Sequence, residues 1–434
     1  MRTILAVALA VLAAVPALLV HFGGLSVPIP VATLFYGLAI VGASFCMAWG
    51  AEAAEHDIPR ALALTVVALL AVFPEYAVDI AFAFKAGQDP AFAPYAAANM
   101  TGSNRLLLGL GWPMISLVAW IARGERAVRL TRDAILPLFF LTLATVYSFT
   151  LPLKASISVL DSVILFALFC AYAFLAARET PEEPDLIGPA ASIGNLPTTT
   201  RRVTIVLLFL FAATIIGLSA TPFADGLVRT GAALGVDEFL LVQWVAPLAS
   251  EAPEFLVAAL LALRGKSAAA LGLLLSAKLN QWTLLVGSLP LAYAVGTLTV
   301  PGGALGLALP LDERQVHEVL LTASQSLFGL AVLANLVFEL TEAALLALLF
   351  LAQFVLGGML RTELSNASGA ELELVVFSVI YLVLAAVFGW RARRTIAVLV
   401  RRRQRVVWTE PAHARVPQAD HDPPGAADRD RLRR

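Results

Sequence analysis

Long apolar runs broken by short charged or Gly- and Pro-bearing stretches dominate the chain. A bilayer core about 30 Å thick needs about 20 apolar residues per helical span. By that measure the pattern predicts about twelve spans, beginning near Thr3, Val31, Ile58, Phe92, Ala134, Ala155, Val203, Glu238, Ser267, Glu318, Glu339 and Glu371. The tenth and eleventh are separated only by "FELTEA". The predicted fold class is therefore all-α, a polytopic transmembrane bundle of about 12 helices. The first span has Arg2 before an apolar stretch, as a signal peptide would. No clear small-x-small cleavage site follows, so it reads as a retained helix.

Composition agrees with lipid as the solvent. Hydrophobic residues make up 59% of the 434 and charged ones 14%, too little charge to cover a soluble domain of this length. Cys46 and Cys170 sit in apolar runs and give no disulfide or zinc spacing. The five histidines form no HExxH pattern, and His56, beside Glu52 and Glu55, falls where a helix meets water. No nucleophile, base and oxyanion grouping can be assembled, so no enzyme activity and no cofactor are expected. Nothing points to nucleic acid. The expected partners are lipid and inorganic cations, with association between like chains left open.

Charge placement sets the orientation. With the N-terminus inside, the cytoplasmic loops hold Arg60, Arg123, Arg126, Arg129, Arg132, Arg178, Arg201, Arg202, Arg264 and Lys266. The outer loops hold only Lys85, Lys154, Arg229, Arg314 and Arg361. The basic segment from Arg391 also lands inside, so both termini are expected in the cytoplasm, for an integral protein of the cell (inner) membrane. Residues 178–202, rich in Pro, Thr and acid, read as a cytoplasmic linker. The expected organisation is an extra helix (1–30), a first repeat (31–177), the linker, a second repeat (203–360), an extra helix with a basic segment (361–408), and a polar tail (409–434) expected to be disordered.

The repeat is visible in the residues. "VVALLAVFPEYAVDIAFAFKAG" and "VQWVAPLASEAPEFLVAALLALRGK" each place Pro-Glu mid-helix, then an aromatic (Tyr76, Phe255), then a base ten positions after the glutamate (Lys85, Arg264). In this topology the two helices run in opposite directions, as in inverted-repeat transporters whose sites lie at the midplane. A proline removes a backbone donor and frees carbonyls to face a cavity. A carboxylate at mid-membrane costs about 2.5–3.5 kcal/mol on insertion scales, so it seldom persists without a partner or a purpose. Glu75 and Glu254 are the first candidates. Asp79 shares a helix face with Glu75, and Glu251 with Glu254; for these two, a structural contact is equally open.

A polar cluster follows each helix. "AANMTGSNR" sets Asn99 and Ser103 on one face, and "LLSAKLNQW" sets Lys278 three positions before Gln281. Amide and hydroxyl oxygens suit Na⁺ or Ca²⁺, although small residues such as Gly102 also serve close helix packing. Lys278 is the oddity: a buried ammonium is expected to seek a carboxylate, with Glu254 or Glu75 the obvious choice. It could replace one bound cation, carry a proton, or form a permanent structural salt bridge.

With these motifs the chain resembles the cation:calcium antiporter superfamily, which includes sodium/calcium and calcium/proton exchangers. The likeness runs from Val31 to Leu356 through the lead-in "AWGAEAAEHDIPRALALTVVALLAVFPE", through Asn99, Gly102, Ser103 and Asn104, and through Ser250, Pro253, Glu254 and Gly272. It implies paired cation-binding carboxylates at Glu75 and Glu254, which would also be the metal ligands, assisted by Asn99, Ser103 and Ser250. Lys278, Glu251 and Asp79 would be coupling or charge partners. The chain departs from the pattern where Ala71, Val72 and Phe73 replace hydroxyls, where Ser276-Ala277-Lys278 replaces Gly-Ser-Asn, and where Arg105 follows the first signature. The expected function is an alternating-access antiporter exchanging Na⁺ or Ca²⁺ for H⁺. The alternative is a non-transporting membrane protein that kept the fold and lost the ion site.

Overall fold

A computed structural model describes residues 2–54, 57, 72–178, 186–362 and 367–408. Glu55, His56, Arg60, Ala71, most of the span expected from Ile58, part of the linker, and the tail from Thr409 lie outside the described residues. Among those described, eleven helical segments are long and apolar enough to cross a membrane. The architecture is an all-α polytopic bundle of two inverted-topology repeats.

The chain opens with α1 (Arg2–Leu12) and α2 (Val15–His21), one span interrupted by a turn. The first repeat runs through α3 (Ile29–Ala54), α4 (Phe73–Gln88), α5 (Ala93–Leu106), a π-helical turn (Leu107–Gly111) and α6 (Trp112–Arg123). It continues through strand β1 (Ala127–Arg129), α7 (Ile135–Ser148), the short α8 (Thr150–Lys154), β2 (Ser156–Ser158) and α9 (Val159–Ala176). A short α10 (Gly188–Gly194) follows inside the expected linker and packs on α3. The second repeat is α11 (Thr198–Leu234), α12 (Glu238–Leu263), α13 (Ser267–Asn280), a π-helical turn (Gln281–Leu285), α14 (Val286–Leu298), β3 (Ala308–Pro310), α15 (Glu313–Leu333), β4 (Val337–Glu339) and α16 (Leu340–Thr362). The last helix, α17, spans Ala367–Trp408. At 1.5 Å per residue it is about 63 Å long, so it projects well past the bilayer.

The correspondence between halves is exact enough to place a π-helical turn at the same point of each, directly after α5 and after α13. Two antiparallel ribbons obey the same symmetry. β1 pairs with β4 (Ala127 opposite Glu339) and β2 with β3 (Ser156 opposite Pro310), so each ribbon joins one repeat to the other. The lead helices α3 and α11 form the most extensive helix pair.

Capping explains several boundaries. Asp237 accepts from the Phe239 and Leu240 amides at the start of α12, and reciprocal capping boxes start α9 (Ser158, Asp161) and α15 (Asp312, Gln315). Each satisfies backbone donors that lipid cannot. Two expected starts shift for this reason: α9 begins at Val159 rather than Ala155, and α15 at Glu313 rather than Glu318. α11 begins at Thr198, directly after Pro197 and with no side-chain cap, rather than at Val203.

Charge is handled differently at the two ends. Three bases of the sparsely basic end are held by acids: Lys85 by Asp225, Lys154 by Asp161, and Arg314 by Asp237 at 3.1 Å. At the opposite, arginine-rich end, Asp57 receives Arg201 Nε at 2.7 Å and Arg202 Nε at 2.9 Å. The Arg201 hydrogen bond holds the Asp57 carboxyl well below the usual carboxylate range, with Arg202 adding to it.

Candidate functional site at the repeat interface

Four helices converge where the repeats meet. α4 brings Glu75 and Asp79, α5 brings Asn99, Ser103 and Asn104, α12 brings Ser250, Glu251 and Glu254, and α13 with its π-turn brings Lys278, Asn280 and Gln281.

Proline shapes both carboxylate helices, by different means. Pro253 lies inside α12, as expected, and cannot donate to the carbonyl of Ala249. Pro74, expected mid-helix, stands in the first turn of α4 as described, Phe73–Gln88. Glu75 therefore lies in the first described turn of α4. A second proline of α12, Pro247, leaves the Gln243 carbonyl without its helical donor. Gly102 of α5 abuts that carbonyl: an added Cβ would meet Gln243 O at 1.8 Å. Only glycine lets α5 and α12 come this close, and that approach seats Ser103 beside Glu251 of α12.

The expected residues are brought together. Glu75, Asp79, Asn99, Ser103 and Glu251 are buried, and Glu254 is half-buried. Glu75 lies in the electrostatic field of Asp79 and Glu254, and Glu251 in that of Glu75 and Glu254. Glu75 Oε1, both Asp79 oxygens, both amide atoms of Asn99, Ser103 Oγ, Glu251 Oε2, Glu254 Oε2 and Gln281 Oε1 are buried and make no hydrogen bond within the protein. So dense a group of unsatisfied oxygens in lipid is costly unless cations or protons neutralise it. Among the described residues, no three His, Cys, Asp or Glu side chains close into a metal cage. In this conformation the carboxylates neighbour one another without converging, with Ser103 and Gln281 close to both Glu75 and Glu251, and Asn99 close to Asp79.

Two placements differ from expectation. Lys278 does not ion-pair with Glu75 or Glu254; its Nζ donates to Asn104 O and Asn104 Oδ1, each at 2.8 Å, and lies 5.1 Å from the Trp282 ring. α13 delivers the ammonium to α5, whose polar turn is nearer than either glutamate. The hydroxyl of Ser250 turns back on its own helix, donating towards Ala246 O and Pro247 O, so only its lone pairs remain for a cation.

Some participants were missed. Gln281 Nε2 donates to Glu251 Oε1 at 2.9 Å and leaves Gln281 Oε1 facing the same cluster. Tyr76 donates to Asn280 Oδ1 at 2.7 Å, locking α4 onto the second repeat. The spacing of Lys278 and Gln281 on one face was the available signal for Gln281, and the aromatic after Pro-Glu in each half was the one for Tyr76; Asn280 left none. Arg105, which follows the signature, points elsewhere. It is paired with Glu318 and Gln353, and Glu318 Oε2 also accepts from Gln243 at 2.9 Å.

Comparison with known proteins adds the following. The family described as "Sodium/calcium exchanger protein" matches residues 28–178 and 204–388. The crystal structure of an H⁺/Ca²⁺ exchanger, CAX, superposes with a TM-score of 0.85 at 40% identity, covering 94% of this chain and 100% of that one. Native YfkE shares the fold, with a TM-score of 0.57 at 15% identity over 88% of this chain and 100% of that one. No curated protein matches.

Proposed function

The chain belongs to the sodium/calcium exchanger family, and on that premise we propose that it is a proton-coupled calcium antiporter of alternating-access type. The observation that carries this reading is the cluster of buried, unpartnered carboxylate and amide oxygens at the repeat interface. Its support is the 40% identity to a protein described as an H⁺/Ca²⁺ exchanger.

In this reading Glu75 and Glu254 are the cation-binding carboxylates. Asn99 and Ser103 add neutral oxygens, and Ser250 adds lone pairs. Glu251 and Asp79 are charge partners that accept protons when the divalent ion leaves. Calcium takes six to eight oxygen ligands in flexible geometry, which suits a mixed set drawn from four helices. The same acids cannot all stay ionised and uncompensated in lipid, so departure of a divalent cation and arrival of protons are two ways of meeting one requirement. Na⁺ in place of Ca²⁺ is the competing cargo. The arginine-rich end, with Arg123, Arg126, Arg129, Arg132, Arg264 and Lys266, faces the cytoplasm by the positive-inside rule.

The alternative of a fold that has lost its ion site drew on Arg105 and Lys278. Arg105 is engaged by Glu318 outside the carboxylate cluster, and Lys278 leaves the carboxylates unpaired. In everted membrane vesicles, Ca²⁺ is expected to dissipate an imposed pH gradient and Na⁺ is not. A gradient indifferent to both ions would overturn the reading; a response to Na⁺ alone would correct the cargo.

A further inference from the structure

Lys278 occupies the position in the second repeat that Asn104 occupies in the first: Ser276-Ala277-Lys278 stands against Gly102-Ser103-Asn104. In the structure these two equivalent residues touch each other. The Lys278 ammonium, completely buried, donates to the backbone carbonyl and the side-chain carbonyl of Asn104. Asn104 is itself fixed, since its Nδ2 donates to Met100 O at 2.9 Å, which turns Oδ1 towards the lysine. On its other side the ammonium lies in the field of Glu251 and Glu75, with the Trp282 ring at 5.1 Å.

A backbone carbonyl, an amide carbonyl and nearby carboxylates are the ligands a small hard cation takes. An ammonium is likewise a compact point charge with donors and no acceptor. We propose that Lys278 is a tethered cation filling a monovalent-cation position on the axis between the repeats. Na⁺ then has no place at this point of the site, and the carboxylates are left to the divalent cargo and to protons. Because the ammonium is attached to the chain, its effective concentration at Asn104 exceeds that of a free ion. The inference rests on the exchange reading for its consequence, selectivity between cargo ions. The occupied position itself is argued from the Lys278–Asn104 geometry alone.

The test uses purified full-length protein in detergent, with thermal unfolding followed against NaCl at constant ionic strength. The wild type is expected to show a Tm indifferent to Na⁺ and raised by Ca²⁺, with the Ca²⁺ shift unaltered by added Na⁺. Lys278→Asn, which restores a neutral oxygen and removes the charge, is expected to acquire a saturable Tm rise with Na⁺. Lys278→Gln is expected to do so as well, whereas Lys278→Arg stays indifferent. A folded Lys278→Asn or Lys278→Gln protein with no Na⁺ response would overturn the inference. So would a saturable Na⁺ stabilisation of the wild type, which needs no variant to fold. Failure of the exchange reading appears separately, as a wild-type Tm that Ca²⁺ does not raise.

Discussion

Two buried cations stand on or against neighbouring positions of one helix, and their surroundings differ. Arg105 is paired with Glu318, hydrogen-bonded to Gln353 and stacked 5.0 Å from the Trp244 ring; Gln243 donates to the same Glu318. One position earlier, Asn104 holds Lys278 near carboxylates that keep unpartnered oxygens. The first arrangement is a closed account of charge, joining α5 to α12, α15 and α16. Among the described residues, Glu373 at its margin, which lines a small cavity with Arg361, keeps unpartnered oxygens. The second leaves acceptors open. A satisfied buried ion pair holds helices in register, while an unsatisfied carboxylate cluster is fit to exchange one neutralising ion for another.

That contrast is broken or sharpened most strongly by removing the cluster's own charge. Glu254→Gln and Glu75→Gln are each expected to reduce Ca²⁺-driven dissipation of a pH gradient to background, with no loss of Tm, because they also relieve repulsion among acids. Transport retained in either variant would remove that residue from the site. Arg105→Met is expected to do the reverse. Leaving Glu318 buried and unpaired should destabilise the protein by about 3–5 kcal/mol, seen in thermal unfolding, and Arg105→Met with Glu318→Leu should recover most of it. A single variant as stable as the wild type would show that the network is not a structural pin.

A smaller effect is expected where the two regions share a helix contact. Gly102→Ala places a Cβ against Gln243 O, and the overpacking should cost about 1–3 kcal/mol while displacing Ser103 and Asn104. Weaker Ca²⁺ protection of that variant against heat would mark the displacement. The smallest effect belongs to the surface. Asp57→Asn should lower Tm slightly at neutral pH, since the folded carboxyl is held below its ordinary value by Arg201 and Arg202. That stabilisation is complete above the unfolded value of about 4 and is lost as pH falls through the folded one. The difference between Asp57→Asn and wild type should therefore persist at pH 5 and fade only in stronger acid.

How much of this was legible beforehand depends on the range of the interaction. The starts of α12 at Glu238 and α13 at Ser267 coincide with the residues expected from hydropathy alone, because an apolar run that begins after a charged or turn-forming residue marks its own boundary. The grouping of Glu75, Glu254, Glu251, Asp79, Asn99 and Ser103 was also legible, since each half repeats its pattern and acids in apolar runs stand out. The partner of Lys278 was not. Charge complementarity favoured a glutamate, and the choice of Asn104 is set by where α13 lies against α5, which no local pattern encodes. The role of Arg105 was hidden for the same reason, because Glu318 and Gln353 come from helices far along the chain. The π-helical turns leave no periodic trace over five residues, and their equivalence emerges only from their place directly after α5 and after α13.

The two short ribbons have a consequence for the order in which the protein is made. β1 and β2 leave the ribosome early, yet their partners are β4 and β3, at residues 337–339 and 308–310. Until those residues are synthesised, the first repeat carries two strand edges with backbone groups that only water can satisfy. The nascent first half is thus an unfinished object that waits at both membrane surfaces for the second to arrive. A chain stopped after α9 should be the form most exposed to quality control.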